Sequence, residues 1–172
     1  MQRRNSNKGF TLVEILIVVI ILGILAAIVI PQFTNASTDA RKNSLSSQLQ
    51  TIRSQLELYK LQHNDQLPTL FTTGLITDWS QMTGQSDVNG STAAATPNKD
   101  FGPYLQQTPT NPLNGQSDLF CQDVDAVPGA AQGGGATCGF ILNTVTGKVW
   151  ATSGKMANVY NESDPNAATN DL

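Results

Sequence analysis

Two hydrophobic rhythms divide the chain. In the 21 residues from Phe10 to Ile30 only Thr11 and Glu14 are conspicuously polar. At 1.5 Å per residue a helix of that length reaches ~32 Å, enough to cross a bilayer core. Beyond Pro31 the apolar residues thin into a stripe. Leu45, Leu49, Ile52, Leu56 and Tyr59 follow the spacing of one helix face, while Arg41, Lys42, Gln48, Arg53, Glu57 and Lys60 lie off it. Together the two rhythms predict one helix from about Phe10 to Gln62, roughly 80 Å long. Pro31 removes one backbone donor and is expected to kink this helix rather than end it, because the periodicity resumes at once. The helix is expected to stop near His63-Asn64-Asp65, with Pro68 blocking continuation.

The later sequence is built of shorter patterns. Thr77 is expected to cap a short helix running through Met82. Residues 83–99, rich in Gly, Ser, Thr, Asn and Ala, read as a mobile loop. Phe101-Gly102-Pro103-Tyr104-Leu105 and Asn111-Pro112-Leu113-Asn114-Gly115 read as turns around apolar anchors. Leu119-Phe120-Cys121 is a candidate strand, and residues 129–135 read as a flexible linker. Phe140-Ile141-Leu142-Asn143 and Lys148-Val149-Trp150-Ala151-Thr152 flank a four-residue connection ending in Gly147, the pattern of a hairpin. The tail from Tyr160 to Leu172 is polar and is expected to be disordered.

Charge sharpens the reading of the first segment. The nine residues before Phe10 carry Arg3, Arg4 and Lys8 and no acid, which predicts a cytoplasmic N-terminus. Glu14 is out of place, since a carboxylate in a membrane helix costs roughly 2.5–3.5 kcal/mol on insertion scales and calls for a partner or a role. The apolar run is too long for an ordinary secretory signal, which has a small-residue cleavage site after its core. No cysteine follows it that would serve as a lipid anchor. Gly9-Phe10-Thr11-Leu12-Val13-Glu14, with the aliphatic run and Pro31 behind it, resembles the class III signal of type IV pilins and type II secretion pseudopilins. Leu58-Tyr59-Lys60-Leu61-Gln62-His63-Asn64 with Pro68 is similar to the helix exit of the major pseudopilins.

That resemblance implies cleavage by a prepilin peptidase between Gly9 and Phe10, N-methylation of Phe10, and pairing of Glu14 with the Phe10 amine of a neighbouring subunit. It implies an α+β, type IV pilin-like fold: one long helix packed against a small antiparallel β-sheet. The expected organisation is a leader over 1–9, a membrane or filament-core helix over 10–31, its amphipathic continuation over 32–63, a globular domain over 64–160 and a polar tail over 161–172. The implied function is structural: a major pseudopilin forming a homo-oligomeric filament that drives protein export. A type IV pilin of a surface filament for adhesion, twitching or DNA uptake is the alternative. The implied partners are prepilin peptidase, an inner-membrane assembly platform and minor pseudopilins. The implied location is the bacterial inner membrane, spanned once, with the globular domain in the periplasm or on the cell surface.

Other chemistry is sparse. Ten basic residues, three of them in the leader, leave seven against thirteen acids, a balance unsuited to nonspecific nucleic-acid binding. His63, at the helix end, reads as a surface residue, no phosphate-binding glycine motif occurs, and no cysteine pair has zinc spacing, so no enzyme is expected. Cys121 and Cys138 are expected to form a disulfide if the C-terminal region lies outside the cytoplasm; two free buried thiols are the other reading. Asn114, Asp118, Asp123 and Asp125 supply oxygen donors for calcium, weighed against an ordinary solvated acidic loop, and no cofactor is assigned. Asn35, Asn89 and Asn161 each begin an Asn-x-Ser triplet, a pattern short enough to recur by chance.

Overall fold

A computed structural model describes residues 9–93, 99–131, 138–154 and 158–170. The chain divides into two compact units, residues 1–39 and 40–172. The first consists mainly of the opening part of helix α1 (Leu12–Gln62). Its apolar side chains bury nothing within the chain: Val29, the least exposed large one, is 40% exposed and Phe10 is 82% exposed. An 18-residue window reaches a mean hydropathy of 3.3, so length and composition suit a membrane span. α1 passes through Pro31 as a continuous helix, as the resumed periodicity predicts.

The second unit is the globular part. The predicted stripe of α1 is its seam: Leu45, Leu49 and Ile52 are fully buried, and Leu56 and Tyr59 nearly so. At roughly 1.5–3 kcal/mol per buried large apolar side chain, this face is a major source of stability. The helix closes where Asn64 and Asp65 take left-handed backbone (φ 53° and 61°), with the Asp65 N–H donating to the Lys60 carbonyl at 2.8 Å. Asn and Asp tolerate that conformation better than most residues.

Four short strands form the sheet: β1 (Gly74–Ile76), β2 (Leu119–Gln122), β3 (Phe140–Asn143) and β4 (Val149–Ala151), in spatial order β1-β2-β3-β4. The β3–β4 hairpin and β2 lie where their patterns predict. The expected antiparallel sheet is corrected, because β2 and β3 run parallel while the two outer pairs are antiparallel. Parallel neighbours need a long crossover, and residues 123–139 supply it. Leu119, Phe140 and Ala151 fall in register across β2–β4, as do Cys121, Leu142 and Val149. All six join the stripe of α1 in one core. Phe120, Ile141 and Trp150, one step along, form the opposite face with Ala126, Cys138 and Val159.

The loops correct several expectations. The short helix α2 (Ser80–Thr83) starts after Trp79, and the Asp78 carboxylate, rather than Thr77, accepts the Ser80 N–H at 2.7 Å. Trp79 is 2% exposed, and its indole N–H donates to the Ser117 carbonyl at 2.9 Å, so its anchoring fixes where the helix begins. The stretch read as mobile over 83–99 is pinned at Ser86, whose backbone exchanges hydrogen bonds with Phe101; residues 94–98 lie outside the described residues. Of the linker expected over 129–135, Gly129 donates to the Val159 carbonyl, and 132–135 lie outside the described residues.

The tail is corrected too. Tyr160 is 2% exposed and Asn170 is fully buried. Asn170 ties back to the backbone of Asn161 and Asp164, where a 3-10 turn, Ala168–Asn170, ends the described chain. A charge clasp holds the tail to α1. Arg53 donates to both carboxylate oxygens of Glu162 and, through Nε and Nη2, to the Val149 carbonyl. The Asn111–Gly115 turn forms as predicted, with the buried Asn111 amide donating to the Gly139 and Thr152 carbonyls at 2.8 Å each. Gly139 is held to glycine by this crowding, since a Cβ would stand 2.2 Å from the Gln116 carbonyl oxygen.

Candidate functional site

The N-terminal site is built on the first turn of α1. Gly9 and Phe10 lie outside the helix and are exposed. Thr11 takes the cap position: its Oγ1 accepts the Glu14 N–H at 3.2 Å, and Glu14 Oε2 accepts the Thr11 N–H at 3.2 Å and the Thr11 hydroxyl at 3.3 Å. This reciprocal pair is a capping box, satisfying two donors the helix start would otherwise leave open. The Thr-x-x-Glu spacing was in the sequence as an unread capping signal. The carboxylate also lies at the positive end of the helix dipole. Glu14 therefore has a partner in its own chain, on a helix that otherwise presents only apolar side chains from Leu12 to Ile30.

The C-terminal candidates do not converge. Cys121 and Cys138 are separate, buried, free thiols, so the expected disulfide is corrected. Cys121 pairs in register with Leu142, four residues beyond Cys138. At ~3.3 Å per strand residue that is about 13 Å of separation, well beyond the ~4.4–6.8 Å Cα spacing of a disulfide. The two thiols also belong to opposite faces of the sheet. Burial pushes the Cys121 thiol up to about 12 and that of Cys138 to about 11, keeping both protonated.

The calcium donors are likewise dispersed. Asp125 binds the Lys148 ammonium, the Asn143 amide and the Thr146 hydroxyl, and these contacts, led by Lys148, hold its carboxyl below the usual range. The Asn114 amide serves the Cys138 carbonyl and the Thr152 hydroxyl. Among the described residues no three His, Cys, Asp or Glu side chains cluster as a metal would require. His63 is a further correction, being buried rather than on the surface. It stacks on Tyr59 with centroids 3.7 Å apart, and its ring nitrogens contact the Tyr59 carbonyl at 2.8 Å and Ser86 Oγ at 3.0 Å. Its place one turn beyond Tyr59, continuing the buried stripe, was the signal that it faces inward.

An apolar helix preceded by a basic segment, with a capped carboxylate at its start and a small α+β domain behind it, defines a prepilin-type protein. The family described as "Prokaryotic N-terminal methylation motif" matches residues 4–30. Among curated proteins, the type II secretion system core protein G of Klebsiella michiganensis is 31% identical over 143 residues, 74% of this chain and 90% of that protein. The core protein G of Aeromonas hydrophila is 31% identical over 142 residues, covering 75% and 90%. The Escherichia coli prepilin peptidase-dependent protein D is 32% identical over 142 residues, covering 70% and 94%. The chain belongs to the type II secretion system core protein G family. No solved structure matches it.

Proposed function

We propose that this protein is the major structural subunit of a type II secretion filament, processed at its N-terminus and assembled through α1. The observation that carries this reading is the exposed apolar face of residues 10–30, which buries nothing within its own chain and bears the single carboxylate Glu14. A lone chain needs lipid around that surface; in a filament, neighbouring copies of the same surface replace lipid. The leader would stay cytoplasmic while residues beyond the span are exported, following the basic bias of residues 1–9. Prepilin peptidase would then cut between Gly9 and Phe10 and methylate the new Phe10 amine. Glu14, free to exchange its contacts to Thr11, would neutralise that amine on an adjacent subunit. An inner-membrane assembly platform and minor pseudopilins would act with it.

Substitution at Glu14 tests the assembly step. Breaking a buried charge pair costs ~3–5 kcal/mol, so Glu14→Leu should leave cleaved subunits in the membrane and abolish intersubunit cross-links. Filaments assembled at the wild-type level would refute the pairing. A surface pilus is the second reading, favoured by the similarity to protein D over nearly that protein's whole length. Immunogold labelling distinguishes the two: retention in the envelope supports the secretion filament, and sheared surface fibres support the pilus.

A further inference from the structure

Three Asn-x-Ser triplets remain unused by the assembly reading, and their surroundings separate them. Asn35 lies inside α1, where the helical backbone cannot turn its amide toward an enzyme, and only a few residues beyond the apolar span. Asn161 is built into the folded tail: its Oδ1 accepts the Ser163 and Asp164 N–H groups at 3.1 and 3.3 Å, and its backbone is tied to Asn170 on both sides. Asn89 differs from both. It is exposed at the tip of a turn in the globular unit, and its carboxamide makes no hydrogen bond among the described residues.

The turn is organised by an acid two residues before it. Asp87 Oδ1 accepts the backbone N–H of Asn89 at 3.0 Å and that of Ser91 at 2.7 Å. The Asp87 N–H donates to the Ser91 carbonyl and its own carbonyl accepts from Gly90, closing the loop. Gly90 is packed under this turn, where a Cβ would meet Tyr59 Oη at 2.5 Å, so the tip is anchored from beneath while Asn89 faces out. Asp87 makes no ion pair among the described residues, which leaves its negative charge for a cationic partner. Only this triplet has an acid two positions ahead; Phe33 and Val159 hold that place for the other two. Asn-x-Ser on an exposed turn is the acceptor pattern of asparagine glycosylation, and the Asp87 charge beside it offers a basic site on the modifying enzyme a second contact.

We propose that Asn89 is an N-glycosylation site, with Asp87 as the charge by which the transferase recognises it. The donor is a polyprenyl-diphosphate-linked oligosaccharide on the exported side of the membrane. Asn89 Nδ2 attacks the anomeric carbon of the first sugar. The N–C bond forms as the carbon–oxygen bond to the diphosphate breaks; the amide gives one proton to a base of the transferase, and polyprenyl diphosphate departs. Nothing is oxidised or reduced. The proposal rests on the export orientation given above.

The test uses full-length protein purified from the membranes of the organism that encodes it. Electron-transfer fragmentation of the tryptic peptide 61–99 should place a glycan on Asn89. Asn89→Gln should lose it. Asp87→Asn keeps the oxygen that accepts the Asn89 and Ser91 N–H groups and removes only the charge, and it too should lose the glycan while the thermal transition stays unchanged. A peptide recovered only unmodified, a glycan at Asn35 or Asn161 instead, or full occupancy in Asp87→Asn overturns the proposal. Protease digestion of spheroplasts run in parallel separates the failures. An unmodified domain that is accessible to protease refutes this site alone, and an inaccessible domain refutes the export reading as well.

Discussion

Removing the Arg53 clasp should loosen the domain by a measurable and partly electrostatic amount. The Arg53 guanidinium lays its fork on Glu162, with contacts of 2.9 and 2.5 Å, and also donates to the Val149 carbonyl. In full solvent such a pair contributes ~0–1 kcal/mol. Here the side chains are 37% and 29% exposed, so solvent screens the pair only in part. Two-point geometry strengthens it further, and a coupling of ~1–2 kcal/mol is expected. Arg53→Met also strips both donors from the carbonyl of Val149, so that variant alone should lose ~2–3 kcal/mol. Urea unfolding of the full chain in detergent micelles, followed by the fluorescence of Trp79 and Trp150, gives the coupling from the cycle of Arg53→Met, Glu162→Gln and the double variant. The coupling should shrink in high salt. A coupling indistinguishable from zero would refute the idea that the tail is held by this charge pair and would leave its apolar contacts as the fastening.

Further expectations follow from the same geometry. Cys121 and Cys138 should resist alkylation in the native protein and both react after denaturation without reductant; a mass lower by two hydrogen atoms, marking a disulfide, would refute the separated thiols. Because burial raises the Cys121 thiol from 9.0 to about 12, its contribution to stability is intact below pH 9.0 and is lost as pH rises toward the folded value, so Cys121→Ala should reduce the alkaline loss. Asp125 is shifted the other way: its contribution holds above the ordinary carboxylate range and fades as pH falls through the lowered value, an acid-side transition that Lys148→Met should shrink in amide NMR spectra of the 143–148 turn. Leu49→Ala, at a fully buried position of the α1 stripe, should cost ~2–5 kcal/mol in the same unfolding assay.

Helix α1 was legible because its signals are repeated: a long apolar run, then five residues on one face. The β3–β4 hairpin was legible because its turn is local and ends in Gly147, whose positive φ of 74° suits glycine. What escaped the sequence depends on distant partners. β1 is three residues long and exists because Leu119–Cys121 offers it an edge. The parallel pairing of β2 with β3 depends on a crossover whose direction no local pattern encodes. The tail reads as disordered by composition, because the order of its polar residues comes from specific partners: Glu162 from Arg53, far along the chain, and Asn170 from the backbone of Asn161 and Asp164 within the tail itself. The site divides the same way. The junction at Gly9-Phe10 and the carboxylate of Glu14 stood out in six contiguous residues, whereas the fates of the cysteines and the acidic loop depended on which face of the sheet each residue occupies.

The parallel pairing of β2 and β3 also sets an order of assembly. A strand that needs a partner on the far side of a crossover cannot be covered while the chain is still emerging. Leu119, Phe120 and Cys121 must wait for residues 140–143, and the sheet is complete only after Ala151. Closing such a loop costs entropy before any pairing compensates, so topologies of this kind fold later than local hairpins. If the domain is exported as proposed, β2 would emerge with β1 already available on one side and would lack β3 on the other until residues 140–143 arrive. The slow step in maturing each subunit would be the arrival of its own C-terminal third.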